Sequence, residues 1–432
     1  MPAKAIRVRE KGLPVRLSVG RAARPLPITT YIPREAAPGL TGPHTLDGKP
    51  PRMLLAFLHQ HTGIFLFNSR LFATSVATVF SFVMAMALFP PYIAFLRRMR
   101  CSSELESQKG DTEPVMPAGL LFMVIIFVTS LVAVRFNSYA LSALAVYGFF
   151  GIIGGVDDIV KLINKRRLAQ GAITKQDYQY KSDGISTSLR LSLYIGISLL
   201  VAVAAYKYIP NINGRITVPF FSIERHFPYL PFWVFIPFMA LIIASMANGV
   251  NFTDGFDTLA TVPLITCVTF VGLTAFVSSN SKWCSYLLIP FIPNVEEILP
   301  LVGAIIGVLL AFLWFNSPPS SIIMGDSGAI GLGGMVGIMF VFVKAEFYLP
   351  VVGFVFLMEF MSDIIQIGWF KMTRKRVFLM APIHHHFQLS MAKKNPFYNN
   401  NKALTRSKIT WRFHILSVIL LVMGLILFFK VR

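Results

Sequence analysis

Residues 299–316 read LPLVGAIIGVLLAFLWFN, eighteen residues without a charge. At about 1.5 Å per residue, a helix over them nearly crosses a hydrocarbon core of about 30 Å. After a Ser- and Pro-rich break, residues 325–344 read GDSGAIGLGGMVGIMFVFVK, apolar between an acid at its mouth, Asp326, and Lys344 at its far end. Two such runs joined by a tight turn predict an all-α integral membrane protein. Working outward, apolar runs recur near 71–94, 117–134, 139–156, 189–206, 230–247, 259–277, 348–370 and 412–430. With 299–316 and 328–345 they predict about ten transmembrane helices, several of them short or interrupted by glycine.

Composition agrees with this reading. Hydrophobic residues make up 55% of the 432 and charged residues 14%, with a mean hydropathy of +0.63. A soluble chain carries about 25% charged residues. The first fifty residues lack the compact apolar core and small-residue cleavage site of a signal peptide, so the first span carries targeting. Two parts are expected: a basic, Pro-containing N-terminal extension over 1–52 and a ten-helix transmembrane domain over 53–432. For the extension, three readings stay open: a translocated tail, an eleventh membrane segment within 53–67, or an upstream start with Met53 as the true one. Met53-Leu-Leu-Ala-Phe-Leu is interrupted by His59, Gln60 and His61, which suits an interfacial position.

A formal net charge of +20 need not mean nucleic acid, because in membrane proteins Lys and Arg collect in cytoplasmic loops. Alternate loops sort that way. One set holds Arg97, Arg98, Arg100 and Lys109, then Lys161, Lys165, Arg166 and Arg167, then Lys371, Arg374, Lys375 and Arg376. The opposite set holds only Arg135, Lys207, Arg215, Arg225, Lys282 and Lys344. Cys101, Cys267 and Cys284 are too scattered for a disulfide framework or a metal cluster.

Four polar clusters fall on the basic side: Asp157-Asp158, Asn251-Phe-Thr-Asp254-Gly-Phe-Asp257, Met324-Gly-Asp326 and Pro382-Ile-His384-His385-His386. Ionisable groups at membrane depth are functional candidates by default. Asp157 and Asp158 are expected at a helix C-terminus, where the dipole disfavours them, so Lys161 and Lys165 or a divalent cation should compensate. Asp254 and Asp257 would share a face if helical. Asp326 should project from a tight turn at a helix N-terminus, a place that also favours phosphate, while Gly331, Gly333 and Gly334 serve packing. Three consecutive histidines cannot converge from a regular helix, which argues against a zinc site and for contact with phosphate or nucleotide. Carboxylates with Lys and His beside a bilayer suit Mg²⁺-assisted phosphate chemistry. A secondary transporter would gather its polar groups near the midplane; here they lie at span ends on one side.

Taken together, Gly155-Val-Asp-Asp158 with Lys161, Asn251-Phe-Thr-Asp-Gly-Phe-Asp-Thr-Leu-Ala260, Met324-Gly-Asp-Ser-Gly, Glu359-Phe-Met-Ser-Asp-Ile-Ile-Gln366 and Ala381-Pro-Ile-His-His-His-Phe387 resemble the polyprenyl-phosphate sugar-1-phosphate transferases. The His run with its Pro-Ile lead resembles the phospho-N-acetylmuramoyl-pentapeptide branch rather than the N-acetylhexosamine-1-phosphate branch. The resemblance covers 53–432 and implies transfer of phospho-MurNAc-pentapeptide from its UDP carrier to undecaprenyl phosphate, giving lipid I and UMP at a bacterial inner membrane. It also implies Mg²⁺ at Asp326 with Asp157 or Asp158 near, one of that pair acting as base. Lys161 would then offset phosphate charge, Asn251, Asp254 and Asp257 would hold the nucleotide or organise the metal, and His384, His385 and His386 would contact substrate. A homodimer and no nucleic-acid partner are implied too. This chain departs from the branch at Lys109–Gly119, Ser327, Ala329, Gln388 and 166–188, which bears on substrate contact rather than reaction class.

Overall fold

A computed structural model describes residues 54–99, 101, 114–169, 187–209, 211–219 and 228–429. The 1–52 extension and Lys109 lie outside them. In chain order the helices are α1 (Leu54–Thr62), α2 (Arg70–Arg98), α3 (Gly119–Ala133), α4 (Ser138–Ala169), α5 (Thr187–Tyr208), α6 (Phe232–Thr253), α7 (Thr261–Ser278), α8 (Ser281–Leu287), α9 (Leu299–Asn316), α10 (Gly325–Phe342), α11 (Leu349–Val352), α12 (Phe354–Thr373), α13 (Ile383–Lys394), α14 (Pro396–Asn400) and α15 (Lys402–Phe429). Among the described residues there is no strand, only two isolated bridges.

Among the described residues, eight helices are long and apolar enough to cross a membrane: α2, α4, α5, α6, α7, α9, α10 and α15. One further pair of helical segments passes the same test only when taken together. A short helical segment from Glu346 to Val352 meets α12 at 86°, so the run expected at 348–370 is not one straight span. The remaining run, α3, has fifteen residues, about 22 Å of helix, and is a short apolar element. At nine residues, about 13 Å, α1 is too short to be an eleventh crossing. It packs beside α3, with Leu55 against Ala73, Ala77, Ala133 and Ala304.

The bundle is organised around α10. Its apolar window is 94% buried, against 22% for α2 and α5, so it touches protein on all sides. Small residues make this possible, as they do wherever helices pack without a hydrophobic driving force between them. A Cβ on Gly119 of α3 would lie 2.0 Å from the Gly328 nitrogen, and one on Gly154 of α4 would lie 2.4 Å from the Asp326 carbonyl oxygen. On α10 itself, a Cβ on Gly333 would meet the Met246 carbonyl of α6 at 2.6 Å. The glycines after Asp326 are thus packing residues. At a second seam α2 packs on α9, where Gly303 and Gly307 face the Thr74 and Thr78 carbonyls. Phe89, Phe122 and Phe312 interlock between α2, α3 and α9.

The chain crosses and returns, so the end of α2, the start of α3, the late part of α4, the starts of α5, α7, α10 and α15 and the ends of α6, α9 and α12 share one end of the bundle. There the 114–119 segment runs beside 321–324: the Val115 amide donates to the Ser321 carbonyl at 3.1 Å and the Ile323 amide to the Val115 carbonyl at 2.9 Å. This pairing sets where α10 begins. At the opposite end, Arg70 pairs with Glu297, and Lys344 donates to the Arg215 carbonyl at 2.8 Å.

Candidate functional site

All four clusters meet at that shared end. Asp157 and Asp158 are not at a helix terminus: α4 continues to Ala169, so the pair sits within the helix and the argument from an unfavourable dipole does not apply. The compensation expected for Asp157 is present nonetheless. Its Oδ2 accepts from Lys161 Nζ, one turn on, at 2.9 Å and from Arg190 Nη1 of α5 at 3.2 Å. The same two cations reach Asp326 Oδ2, at 2.9 and 3.5 Å. Two carboxylates and two cations therefore form a closed, neutral diamond, which is how charges persist in a low-dielectric interior. The acids are the buried half, Asp157 wholly so. The Lys161 side chain keeps 27% of its exposure, so an anion arriving at this end meets the cations first.

Asp158 has a separate role. Both its oxygens face α10, accepting from the Asp326 amide at 3.0 Å and the Ser327 amide at 2.9 Å. Asp254, just past the end of α6, accepts from the amide of Gly325. The N-terminus of α10, which the sequence offers to phosphate, is thus already capped by two carboxylates from other helices, an arrangement that both the orphan amides and the helix dipole favour. Gly325 makes the turn possible with φ of +77°, a conformation open chiefly to glycine. Asp326 projects from the first turn, as its sequence predicts.

The acidic turn after α6 is not helical. Asp254 and Asp257 diverge: the first goes to α10, the second accepts from the Ser320 hydroxyl at 2.9 Å. Burial above all holds the Asp254 carboxyl well above the usual carboxylate range, against the pull of the Gly325 amide and with the help of Asp326, Asp158 and Asp257. Burial likewise raises Asp257, with the Ser320 hydroxyl and Arg406 opposing. A cavity of about 310 Å³ opens beside this turn, between Phe256, Asp257, Pro318, Ser320, Arg406 and Thr410. A smaller one borders Asp254, Asp257, Asn316 and Ile323. Asn251 lies in the last turn of α6, half-buried, its carbonyl accepting from the Asp254 amide.

The three histidines part company, as three consecutive helical residues must. His384 is buried, its Nδ1 3.0 Å from Glu359 Oε2 and its ring edge-on to Phe256. Its Nε2 faces Gly255, where a Cβ would lie 2.4 Å away. His385 packs on Phe256 and on Gln388; burial first, then His384, push its imidazole down to about 4. His386 accepts the Leu379 amide at 3.1 Å and closes the loop before α13. A common substrate contact for all three is therefore not what the geometry provides: His384 supports the acidic turn and His386 its own loop.

Sequence reasoning overlooked Arg190, although a charge inside the run at 189–206 was itself the signal. It also gave no role to Glu359, Asn316, Ser320 or His414, whose importance depends on tertiary contacts. As for a metal, no group of three or more His, Cys, Asp or Glu converges on one point among the described residues. Mg²⁺ commonly takes only one or two carboxylates and completes its shell with substrate phosphates and water. Asp157 and Asp326 fit that mode of binding and not an all-protein cage.

Residues 140–344, from α4 through α10, match the family described as glycosyl transferase family 4. Over 370 residues, 84% of this chain and 95% of the relative, the sequence is 34% identical to the phospho-N-acetylmuramoyl-pentapeptide-transferase of Bartonella quintana (strain Toulouse).

Proposed function

The chain belongs to the phospho-N-acetylmuramoyl-pentapeptide-transferase family, and from that premise we propose that the diamond of Asp157, Lys161, Arg190 and Asp326 is where its phosphates react. It transfers phospho-MurNAc-pentapeptide from UDP-MurNAc-pentapeptide to undecaprenyl phosphate, yielding lipid I and UMP for peptidoglycan synthesis. It does so as a multi-pass membrane protein; we place it in the bacterial inner membrane, with the diamond's end cytoplasmic, because the basic loops gather there.

The observation that carries this reading is the sharing of two cations by two buried acids at the one end of the bundle where every polar motif meets. In the reaction a lipid phosphate oxygen forms a bond to the sugar-bound phosphorus, and the bond from that phosphorus to the UMP oxygen breaks. Lys161 and Arg190 hold the phosphates of donor and acceptor, exchanging part of their pairing with the acids for pairing with phosphate oxygens. Released from them, Asp157 keeps the attacking lipid phosphate ionised. Asp326, with Asp157 beside it, would hold Mg²⁺, which when bound neutralises charge on the diphosphate. Asn251, Asp254 and Asp257 hold the uridine nucleotide at the cavities along the acidic turn. Asp158 acts through α10, fixing the turn from which Asp326 projects. His385 is the one of the three histidines left to meet the donor, and two copies of the chain form the working unit.

Release of UMP by purified protein, given UDP-MurNAc-pentapeptide, undecaprenyl phosphate and Mg²⁺, tests the reading. Turnover abolished by EDTA and absent with UDP-GlcNAc is the expected result. Turnover with UDP-GlcNAc alone moves the chain to the N-acetylhexosamine branch, and EDTA-insensitive turnover removes the metal.

A further inference from the structure

Thr258, the residue that closes the acidic turn, has φ of +62°. A β-branched residue pays a steric penalty there and persists only where its surroundings over-determine it. Both of its backbone polar groups are taken by side chains from distant helices. Its amide donates to Asn316 Oδ1, at the end of α9, at 2.8 Å. Its carbonyl lies 2.9 Å from Nε2 of His414, in the last membrane helix, α15. The Thr261 amide shares that carbonyl at 3.2 Å. Asn316 in turn donates to the Ile322 carbonyl at 2.8 Å, so one side of the turn is tied to the loop that leads into α10. His414 is the tie on the other side.

We propose that His414 is a positioning residue for the uridine nucleotide. Its Nε2–H holds the Thr258 carbonyl, and with it the register of Asp254 through Asp257, against α15. A carbonyl can only accept, so the Nε2 must carry hydrogen. His414 is buried and lines neither of the two cavities beside the turn, so it acts through the turn and not on the ligand. The neighbouring Thr410, one helical turn earlier, does line the larger cavity, which places this face of α15 against the space the turn encloses.

The inference rests on the reading that the acidic turn holds the nucleotide, and direct binding of UMP to the full-length protein in detergent separates the two. His414→Phe keeps a ring and removes the donor; His414→Gln restores an amide N–H at nearly the reach of Nε2. Loss of one such bond is expected to weaken UMP binding and raise the KM for the UDP donor about three- to tenfold, with the KM for undecaprenyl phosphate and the melting temperature unchanged, and Gln is expected to recover most of it. If the Phe variant does not fold, His414→Asn takes its place, since its shorter amide falls short of the carbonyl. Wild-type UMP binding in the Phe or Asn variant, a Gln variant as weak as Phe, or equal losses for both substrates with a lowered melting temperature overturn the proposal. So does a wild-type protein that binds no UMP. A wild type that binds UMP, shows this variant pattern and yet transfers nothing leaves His414 in place and removes the proposed reaction instead.

Discussion

Adjacent acids on one helix are usually assigned chemistry together, yet Asp157 and Asp158 point in different directions, and exchanging each for Asn separates their roles. Asp158 accepts two amides at the start of α10 through its two oxygens. In Asp158→Asn one oxygen remains an acceptor, while the new NH₂ faces an amide N–H donor, leaving a buried amide without a partner. Hydrogen bonds to charged groups contribute about 1.5–3 kcal/mol, and an unsatisfied buried donor costs about 1–3. A carboxylate at a partly buried helix N-terminus adds up to about 2. Because these contributions overlap, the expected loss is about 3–5 kcal/mol. For a chain of this length each kcal/mol corresponds to roughly 1 °C or slightly more, so the midpoint should fall by about 3–6 °C, together with activity. Asp157→Asn should instead lose UMP release with a change in midpoint of at most about 2 °C, because Lys161 and Arg190 keep Asp326. Thermal unfolding in detergent, followed by tryptophan fluorescence beside the UMP assay, reads both. An inactive Asp158→Asn with an unshifted midpoint would show that Asp158 takes part in the chemistry and refute the capping argument.

Arg190→Ala removes one of the two cations shared by Asp157 and Asp326 and should lower kcat/KM roughly ten- to a hundredfold, with Arg190→Lys, which keeps charge but loses the fork, in between; equal activity in all three would remove Arg190 from the site. In Gly255→Ala the new methyl meets His384 Nε2, so the turn must shift and nucleotide binding should fall; an unchanged KM for the UDP donor would count against His384 as its support. The folded pKa of His385, near 4, lies below its unfolded value of about 6.5. The unfolded chain therefore holds the extra proton between those values, and stability falls as pH drops from about 6.5 toward 4. His385→Gln should flatten melting temperature against pH across that window, and an unaltered slope would contradict it.

The crossings were legible because apolar length is what a bilayer demands, and hydropathy reads length directly. What escaped was geometry that hydropathy does not encode. The break at Gly353 lies inside a run as apolar as its neighbours, and the continuation of α4 past Asp158 lies where polar composition suggests an end. At the site, residue type identified Asp157, Lys161 and Asp326, since charge at membrane depth stands out against an apolar background. It could not say that Asp158 turns to an amide pair while Asp157 turns to cations, because adjacent helical side chains look alike in sequence and are told apart only by their neighbours. Asn316 and His414 were invisible for a related reason, and Thr258 was legible only as one member of the acidic motif. Each is unremarkable alone, and their alliance joins α9, the turn before α7 and α15, which only folding brings together.

The all-round burial of α10 bears on how the protein is made. Its apolar window has a mean hydropathy of 1.4, the lowest of the eight crossing helices, and follows α9, the highest at 2.6. A segment so rich in glycine, with an acid in its first turn, partitions weakly into lipid by itself. The helices that line its slot, α3, α4 and α6, all precede it in the chain. During synthesis α9 can anchor the growing polypeptide while α10 enters a groove already lined with matching small residues, bringing Asp326 to Asp157, Lys161 and Arg190 in the same movement. Assembly of the bundle and assembly of the reaction centre are then one event, and a ribosome that stalls before Gly325 leaves a membrane protein with most of its helices and none of its chemistry.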